Sequence, residues 1–339
     1  MLFSKTSQLI LRNSKIFEKK KVFFSGNIKD KFPMYLLTNK TIINFPKYND
    51  YINFQKIKNI KNVDIYNNLL ISKKMIQDCN TIIYYWNKNK SESEFQLINI
   101  MSCFSIGTEI FIVGNNSSGI KSAPLILKKL INLKIIDNAK HSILIFGCLI
   151  KKIKFVIEDF FKIHTWKEFF IKSLPGVFGY KKIDEGSKFL ASTFSKNITG
   201  KVLDVGSGTG FLSVSLLRSS PDVILTLIDN NVAALKCSKE TLHTNHLKGE
   251  VILSDLYSNI FNKFDLIISN PPFHEDLKIN FNIIKKMIFY SIQYLNRNGE
   301  FRFVTNSCFK YDFLLKKTFK KYSILKINNK YKVYQAFLI

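Results

Sequence analysis

Lys201-Val202-Leu203-Asp204-Val205-Gly206-Ser207-Gly208-Thr209-Gly210 is an apolar run that breaks into three alternating glycines; residues 211–217 then carry apolar side chains at helical spacing until Ser219-Ser220-Pro221 stops them. The pattern reads as strand, tight loop, helix. Downstream, residues 223–228 predict a second strand ending at Asp229, 232–243 a second helix, 249–253 a third strand ending near Asp255, and 264–269 a fourth that runs into Asn270-Pro271-Pro272-Phe273. Strands alternating with helices pair in parallel through right-handed crossovers, with helices on both faces. The predicted class is α/β, a doubly wound, mostly parallel sheet.

The first half has no alternating-glycine turn, yet it echoes the second. Thr81-Ile82-Ile83-Tyr84-Tyr85-Trp86 resembles Leu266-Ile267-Ile268-Ser269-Asn270-Pro271, each an apolar strand breaking into a loop. After a helix-sized segment in both, Ile106-Gly107-Thr108-Glu109-Ile110-Phe111-Ile112-Val113 matches Arg297-Asn298-Gly299-Glu300-Phe301-Arg302-Phe303-Val304. Chance likeness of two such segments is the alternative to duplication. Duplication predicts two tandem domains, a degenerate one over residues 1–160 and a functional one over 171–339, joined where Lys151, Lys152 and Lys154 interrupt the apolar pattern. A chain of 339 residues suits two domains that each bury a core.

Composition narrows the class. Hydrophobic residues make up 46% and charged residues 22%, a globular balance rather than a disordered or fibrous one. The apolar stretch 143–150 is far short of the roughly 18 residues a membrane-spanning helix needs, and the opening lacks a long apolar signal region and a small-residue cleavage site. The five cysteines are scattered, odd in number and never spaced C-x-x-C, which suggests neither a disulfide framework nor a zinc site. No metal and a reducing cytoplasm are the expectations. Fifty-one Lys and Arg against 25 Asp and Glu give a net charge of +26, which attracts polyanions and favours nucleic acid as partner. Residues 1–172 hold 28 basic and 12 acidic residues, net +16, so both halves are basic. Overuse of Lys, Asn and Ile is also what AT-rich coding produces, and charge alone does not decide.

A dinucleotide fingerprint fails at the glycine loop, because the third glycine of G-x-G-x-x-G would fall on Phe211. What remains is Asp204 two residues ahead of Gly206, Gly208 and Gly210: a backbone without Cβ atoms against which a ligand can lie, with a carboxylate for a cationic or donating group. S-adenosylmethionine, carrying ammonium and sulfonium charges and no phosphate, suits that chemistry. Packing alone also places glycines in strand-to-helix turns. Asp229 is placed to accept the hydroxyls of a ribose, and Asp255 the amino group of adenine. Singly each reads as a capping or loop acid; in succession at strand ends they point to a ligand. Asn270-Pro271-Pro272-Phe273 is the strongest signal. Two prolines stiffen the loop and leave carbonyls free, so the Asn270 side-chain oxygen and a proline carbonyl can accept both hydrogens of a substrate amine, while Phe273 offers a stacking face.

On these residues the chain resembles the class I S-adenosylmethionine-dependent methyltransferases that modify exocyclic amines. Asn270-Pro271-Pro272-Phe273-His274-Glu275, preceded by Leu174-Pro175-Gly176-Val177-Phe178 and Asp184-Glu185-Gly186-Ser187, is similar to the bacterial ribosomal RNA guanine-N2 methyltransferases. Thr81-Ile82-Ile83-Tyr84-Tyr85-Trp86 with Phe95-Gln96-Leu97 brings the first half into the likeness, on the small-subunit side of that family. The resemblance implies two tandem Rossmann-like methyltransferase domains, the first without a site. It also implies transfer of methyl from S-adenosylmethionine to the N2 amine of a guanine, position 1207, in 16S rRNA of the small ribosomal subunit. Ser207 departs from the pattern, standing where cysteine is frequent, and residues 32–71 match least. Little acid-base machinery is expected of such a displacement; His274 is open to proton removal, an RNA contact or a structural role. The alternatives are the same chemistry on 23S rRNA, methylation of a protein glutamine, for which tyrosine usually follows the prolines, and a non-catalytic RNA-binding protein. A monomer is the expected state.

Overall fold

In the computed structural model the described residues are 3–57, 61–76, 79–272, 274–275, 278–279 and 281–339. They divide into two units, 1–160 and 161–339. The first holds strands β1 (Lys21–Gly26), β2 (Lys40–Asn44), β3 (Val63–Tyr66), β4 (Thr81–Tyr85), β5 (Glu109–Asn115), β6 (Lys134–Ala139) and β7 (Ser142–Cys148). Its helices are α1 (Lys5–Arg12), α2 (Tyr48–Gln55), α3 (Lys73–Ile76), α4 (Lys90–Ser102) and α5 (Ala123–Leu127). The second unit opens with the hairpin β8 (Lys162–Trp166) and β9 (Phe169–Ser173). Its main sheet takes β10 (Lys201–Val205), β11 (Ile224–Asp229), β12 (Glu250–Leu253) and β13 (Phe264–Ser269), and, after the short β14 (His274–Glu275) and β15 (Lys278–Ile279), β16 (Leu295–Asn306), β17 (Lys321–Ile327) and β18 (Tyr331–Phe337). Its helices are α6 (Glu185–Ala191), α7 (Phe211–Ser219), α8 (Val232–Thr244), α9 (Phe281–Ser291) and α10 (Asp312–Thr318).

Both main sheets have one topology. The first runs β3-β2-β1-β4-β5-β7-β6 and the second β12-β11-β10-β13-β16-β18-β17. Five strands of each are parallel, and β7 and β18 join antiparallel. Strands buried on both faces need apolar residues in unbroken runs, which is why Thr81–Tyr85 and the core of β13 read as continuous rather than alternating. Alternate residues then feed two cores per sheet: Leu203, Ile267 and Phe301 enter one in the second unit, Val202, Leu266 and Ile268 the other.

The internal echo holds to the residue. Val22 pairs with Thr81 and Val202 with Leu266, while Thr81 pairs with Glu109 and Leu266 with Glu300. Thr81 is thus the counterpart of Leu266 and Glu109 of Glu300. The expected domain start at Ile171, however, falls inside β9. The β8–β9 hairpin packs on α8, with the Lys172 N–H donating to Thr241 Oγ1 (3.0 Å), the Phe170 N–H to Asn245 Oδ1 (2.9 Å), and Ile171 buried in the core beneath.

Candidate active site

In an open α/β sheet a ligand cleft forms outside the carboxyl ends of the strands, where the strand order reverses. In the second unit that point lies between β10 and β13. The chain leaving β10 turns toward β11: the Gly206 and Ser207 N–H groups both donate to the Ile228 carbonyl, at 2.9 and 3.0 Å. Ser238 of α8 bonds Ser207 Oγ (3.0 Å) and donates to the Gly208 carbonyl (3.1 Å), holding the loop down. Gly206, Gly208 and Gly210 all have positive φ, +74°, +55° and +76°. Their surroundings differ. A Cβ on Gly206 would meet nothing within 4 Å and one on Gly208 only two carbonyl oxygens at 3.9 and 4.0 Å, whereas one on Gly210 would lie 3.3 Å from Ser238 Cα. Gly206 and Gly208 border open space; Gly210 lets α7 start against α8.

Asp204 lies beneath the loop, wholly buried. Ser213 Oγ donates to its Oδ2 at 2.7 Å, and its Oδ1 has no hydrogen-bond partner. Burial pushes its pKa up to about 7; the Ser213 bond opposes the rise and the charge of Asp229 adds to it. Asp229 ends β11 with its carboxylate turned to the loop, accepting the Gly208 N–H on Oδ2 (3.0 Å) and the Asn231 N–H on Oδ1 (2.9 Å). Asp255, two residues past β12, is exposed, and its N–H donates to Ser258 Oγ (3.1 Å); it does not line the cleft that holds the glycine loop.

Asn270 follows β13 and enters the same cleft as Gly206, Gly208 and Phe178. Ser269 Oγ donates to the Val205 carbonyl at 2.8 Å, tying the end of β13 to the end of β10 and so fixing Asn270 beside the loop. The Asn270 Nδ2 donates to Asp184 Oδ2 (2.9 Å) and Ser187 Oγ (2.7 Å), while its Oδ1 is buried without a partner. Pro271 is buried next to it. Phe273 lies outside the described residues, as does the side chain of His274.

Sequence reasoning missed the groups that hold these residues. Asp184 and Ser187 enter the reading only as part of a family pattern, and Ser213 and Ser238 not at all. Asp184 caps α6, accepting the Ser187 N–H at 2.7 Å. An acid three residues ahead of a serine at a helix start signals that cap. Its second task, at a residue 86 positions away, has no local signature. Among the described residues no group of His, Cys, Asp and Glu could hold a metal ion, and no helix is long and apolar enough to cross a membrane.

A glycine loop and an Asn-Pro-Pro turn at the switch point of a mostly parallel sheet define a methyltransferase-like domain, and two family models match accordingly. The methyltransferase small domain matches residues 168–335 and the methyltransferase small domain N-terminal residues 7–164. Among curated relatives, the ribosomal RNA small subunit methyltransferase C of Buchnera aphidicola subsp. Acyrthosiphon pisum is 65% identical, the match covering 99% of each chain. The protein of that name from Escherichia coli strain K12 / DH10B is 36% identical, over 99% of this chain and 97% of its own. The chain belongs to the ribosomal RNA small subunit methyltransferase C family. Its fold is also that of the T. thermophilus 16S rRNA N2 G1207 methyltransferase solved with AdoMet and guanosine, at a TM-score of 0.82 and 17% identity, covering 99% of this chain and 92% of that one.

Proposed function

We propose that this protein transfers a methyl group from S-adenosylmethionine to the exocyclic N2 amine of a guanine in 16S rRNA, position 1207, in the small ribosomal subunit. The observation that carries this reading is the buried Asn270 Oδ1, an acceptor without a partner beside an open glycine loop. An amine of the substrate can donate to that oxygen and to a carbonyl of the Asn270-Pro271 turn, which aligns the nitrogen lone pair for attack. The expected stacking of the base on Phe273 belongs to the same reading.

The residues fit the cofactor. Open space above Gly206 and Gly208 admits a ligand against the backbone, and the partnerless buried Oδ1 of Asp204 matches a cationic, donating group better than a phosphate. Asp229, at the end of β11 with its carboxylate on the loop, would take the ribose hydroxyls; Asp255, the residue expected for the adenine amine, stands outside the cleft of the glycine loop and adds nothing to that fit. Bound there, S-adenosylmethionine supplies an electrophilic methyl on a sulfonium. The protein's own part is alignment and exclusion of water, so no strong general base is required.

The first unit, in which Tyr84-Tyr85-Trp86 replaces Ser269-Asn270-Pro271 and basic residues predominate, docks RNA or supports its neighbour. We read the protein as a cytoplasmic monomer, the location following from its substrate. Tritiated methyl transfer to small subunits, large subunits and naked 16S rRNA in parallel tests the assignment. Label on small-subunit guanine N2, with an RNA affinity that falls steeply with salt, is expected. Label on large-subunit RNA or on protein alone would overturn it.

A further inference from the structure

An asparagine side chain is ambiguous: rotating its amide by 180° exchanges an acceptor for a donor in nearly the same volume. An amine clamp needs the oxygen turned inward, and something must impose that orientation. In this cleft both amide hydrogens of Asn270 are taken, one by Asp184 Oδ2 at 2.9 Å and one by Ser187 Oγ at 2.7 Å. An ionised carboxylate only accepts, so the flipped amide would set oxygen against oxygen at Asp184 and lose a charge-assisted bond.

The receptor for the amide is itself built. Asp184 Oδ2 also accepts the Ser187 N–H at 2.7 Å, so capping α6 and holding Asn270 are done by one oxygen. Gly186 between them has no room to spare, since a Cβ would lie 3.0 Å from Asp184 Oδ2 and 3.1 Å from Tyr331 Cε1. The first unit provides an internal control. There Ser4 caps α1, accepting the Ser7 N–H, and the Ser7 hydroxyl bonds Tyr85 at the position of Asn270 (3.0 Å). The scaffold is shared, but in the first copy the cap is a serine and the Ser7 hydroxyl also donates to Asp30 Oδ1 (3.0 Å); a capping carboxylate that holds an amide is found only in the second.

We propose that Asp184 and Ser187 are positioning residues that lock the Asn270 amide so that only its carbonyl oxygen faces the substrate, making the cleft selective for a group that donates hydrogens. This rests on the amine-clamp reading of Asn270. A base bearing an amine at that point fits; one bearing a carbonyl there is repelled.

The full-length protein is assayed with tritiated S-adenosylmethionine and small subunits, with cofactor affinity and thermal unfolding measured beside the kinetics. Asp184→Ala is expected to lower kcat by about tenfold or more, with cofactor Kd within about twofold of wild type. Asp184→Asn, which can still turn an oxygen toward Asn270, recovers most of the rate. Ser187→Ala keeps the backbone cap and loses rate in the same direction, and it decides the matter if Asp184→Ala melts below the assay temperature. The double variant Asp184→Ala/Asn270→Ala should be no slower than Asn270→Ala alone, because the anchor acts through the amide it holds. Full kcat in both Asp184→Ala and Ser187→Ala, or a double variant showing the product of the single losses, overturns the lock and leaves the clamp standing. Wild-type transfer by Asn270→Ala overturns the clamp, and the lock with it.

Discussion

In the first unit the chain leaving β1 bends at Gly26 toward β4, where the Asn27 N–H donates to the Tyr85 carbonyl at 2.8 Å; in the second, the chain leaving β10 bends toward β11 and the Ile228 carbonyl. The two sheets have the same strand order, so the same crevice is stitched shut in one and left open in the other. The glycines that correspond by register report the difference. A Cβ on Gly26 would lie 2.1 Å from the Tyr85 carbonyl oxygen, and one on Gly206 would touch nothing within 4 Å. Register also makes Phe24 the counterpart of Asp204, Phe45 that of Asp229 and Tyr85 that of Asn270. At each of these three places the first copy has an aromatic core residue where the second carries a polar group. Burying such a ring contributes about 1.5–3 kcal/mol, whereas a buried carboxyl such as Asp204 is costly to ionise. The closed copy has the core a domain wants, and the open copy retains two buried oxygens, Asp204 Oδ1 and Asn270 Oδ1, without a hydrogen-bond partner.

The comparison breaks most directly by moving one residue across it. Asn270→Tyr, which imports the residue of the first unit, should reduce methyl transfer by about 10³-fold or more while S-adenosylmethionine still binds, since an aligned acceptor is lost and the crevice is filled. Tyr85→Phe removes a hydroxyl bonded to Ser7. It should cost about 1 kcal/mol of stability and leave the specific rate unchanged. Kinetics and melting curves on both variants check the pair. Normal transfer by Asn270→Tyr would mean that the corresponding positions do not differ in function.

A gentler version uses the glycines. Gly206→Ala sets a methyl at φ +74° facing open space, so it should cost about 1–2 kcal/mol of folding stability but weaken cofactor binding by roughly tenfold. Gly26→Ala forces the backbone of β4 to move and should destabilise by about 3 kcal/mol or more without changing cofactor affinity in the molecules that remain folded. Calorimetric titration and denaturant unfolding separate the two; equal effects on binding would show that the loop of the second unit is only a packing turn.

How much of this is legible in the sequence depends on whether the signal is local. Lys201–Val205 and Phe264–Ser269 are read to the residue because each is an apolar run cut by glycine or proline. The echo of residues 81–86 and 106–113 is legible for the same reason, register being set by the same pattern in both copies. What escapes is whatever depends on chain segments meeting in space. Asp184 enters the sequence reading only within a family pattern, and nothing local to it hints at Asn270. Gly206, Gly208 and Gly210 look equivalent as letters and divide only when Ser238 is placed against the third. Asp204 reads as an acid next to a ligand, but its burial and its bond to Ser213 are properties of the packed loop. The domain start misses the β8–β9 hairpin because Ile171 belongs to a core contributed by α7, β10 and β11.

The smallest effect is a proton. With its pKa pushed up to about 7 by burial, against the ordinary 3.8, Asp204 in the ligand-free fold keeps a hydrogen that the unfolded chain gives up. The stability it contributes is therefore complete below about pH 4, declines as pH rises toward 7, and is level above that. A cationic ligand reverses the preference by favouring the carboxylate, so cofactor affinity should tighten by about three- to tenfold between pH 6 and pH 8. Asp204→Asn should flatten both profiles. Ser213→Ala removes the bond that opposes the rise and should shift the midpoint of the affinity profile to higher pH; Asp229→Asn removes the neighbouring charge and should shift it lower. The first unit, with Phe24 in this place, has no corresponding proton, and Phe24→Leu should leave the profile untouched. An affinity that does not vary from pH 6 to 8 in wild type, or a profile unmoved by Ser213→Ala, would mean that Asp204 is ionised before the ligand arrives, and that the open copy bears its buried acid as a charge rather than as a neutral group waiting for a cation.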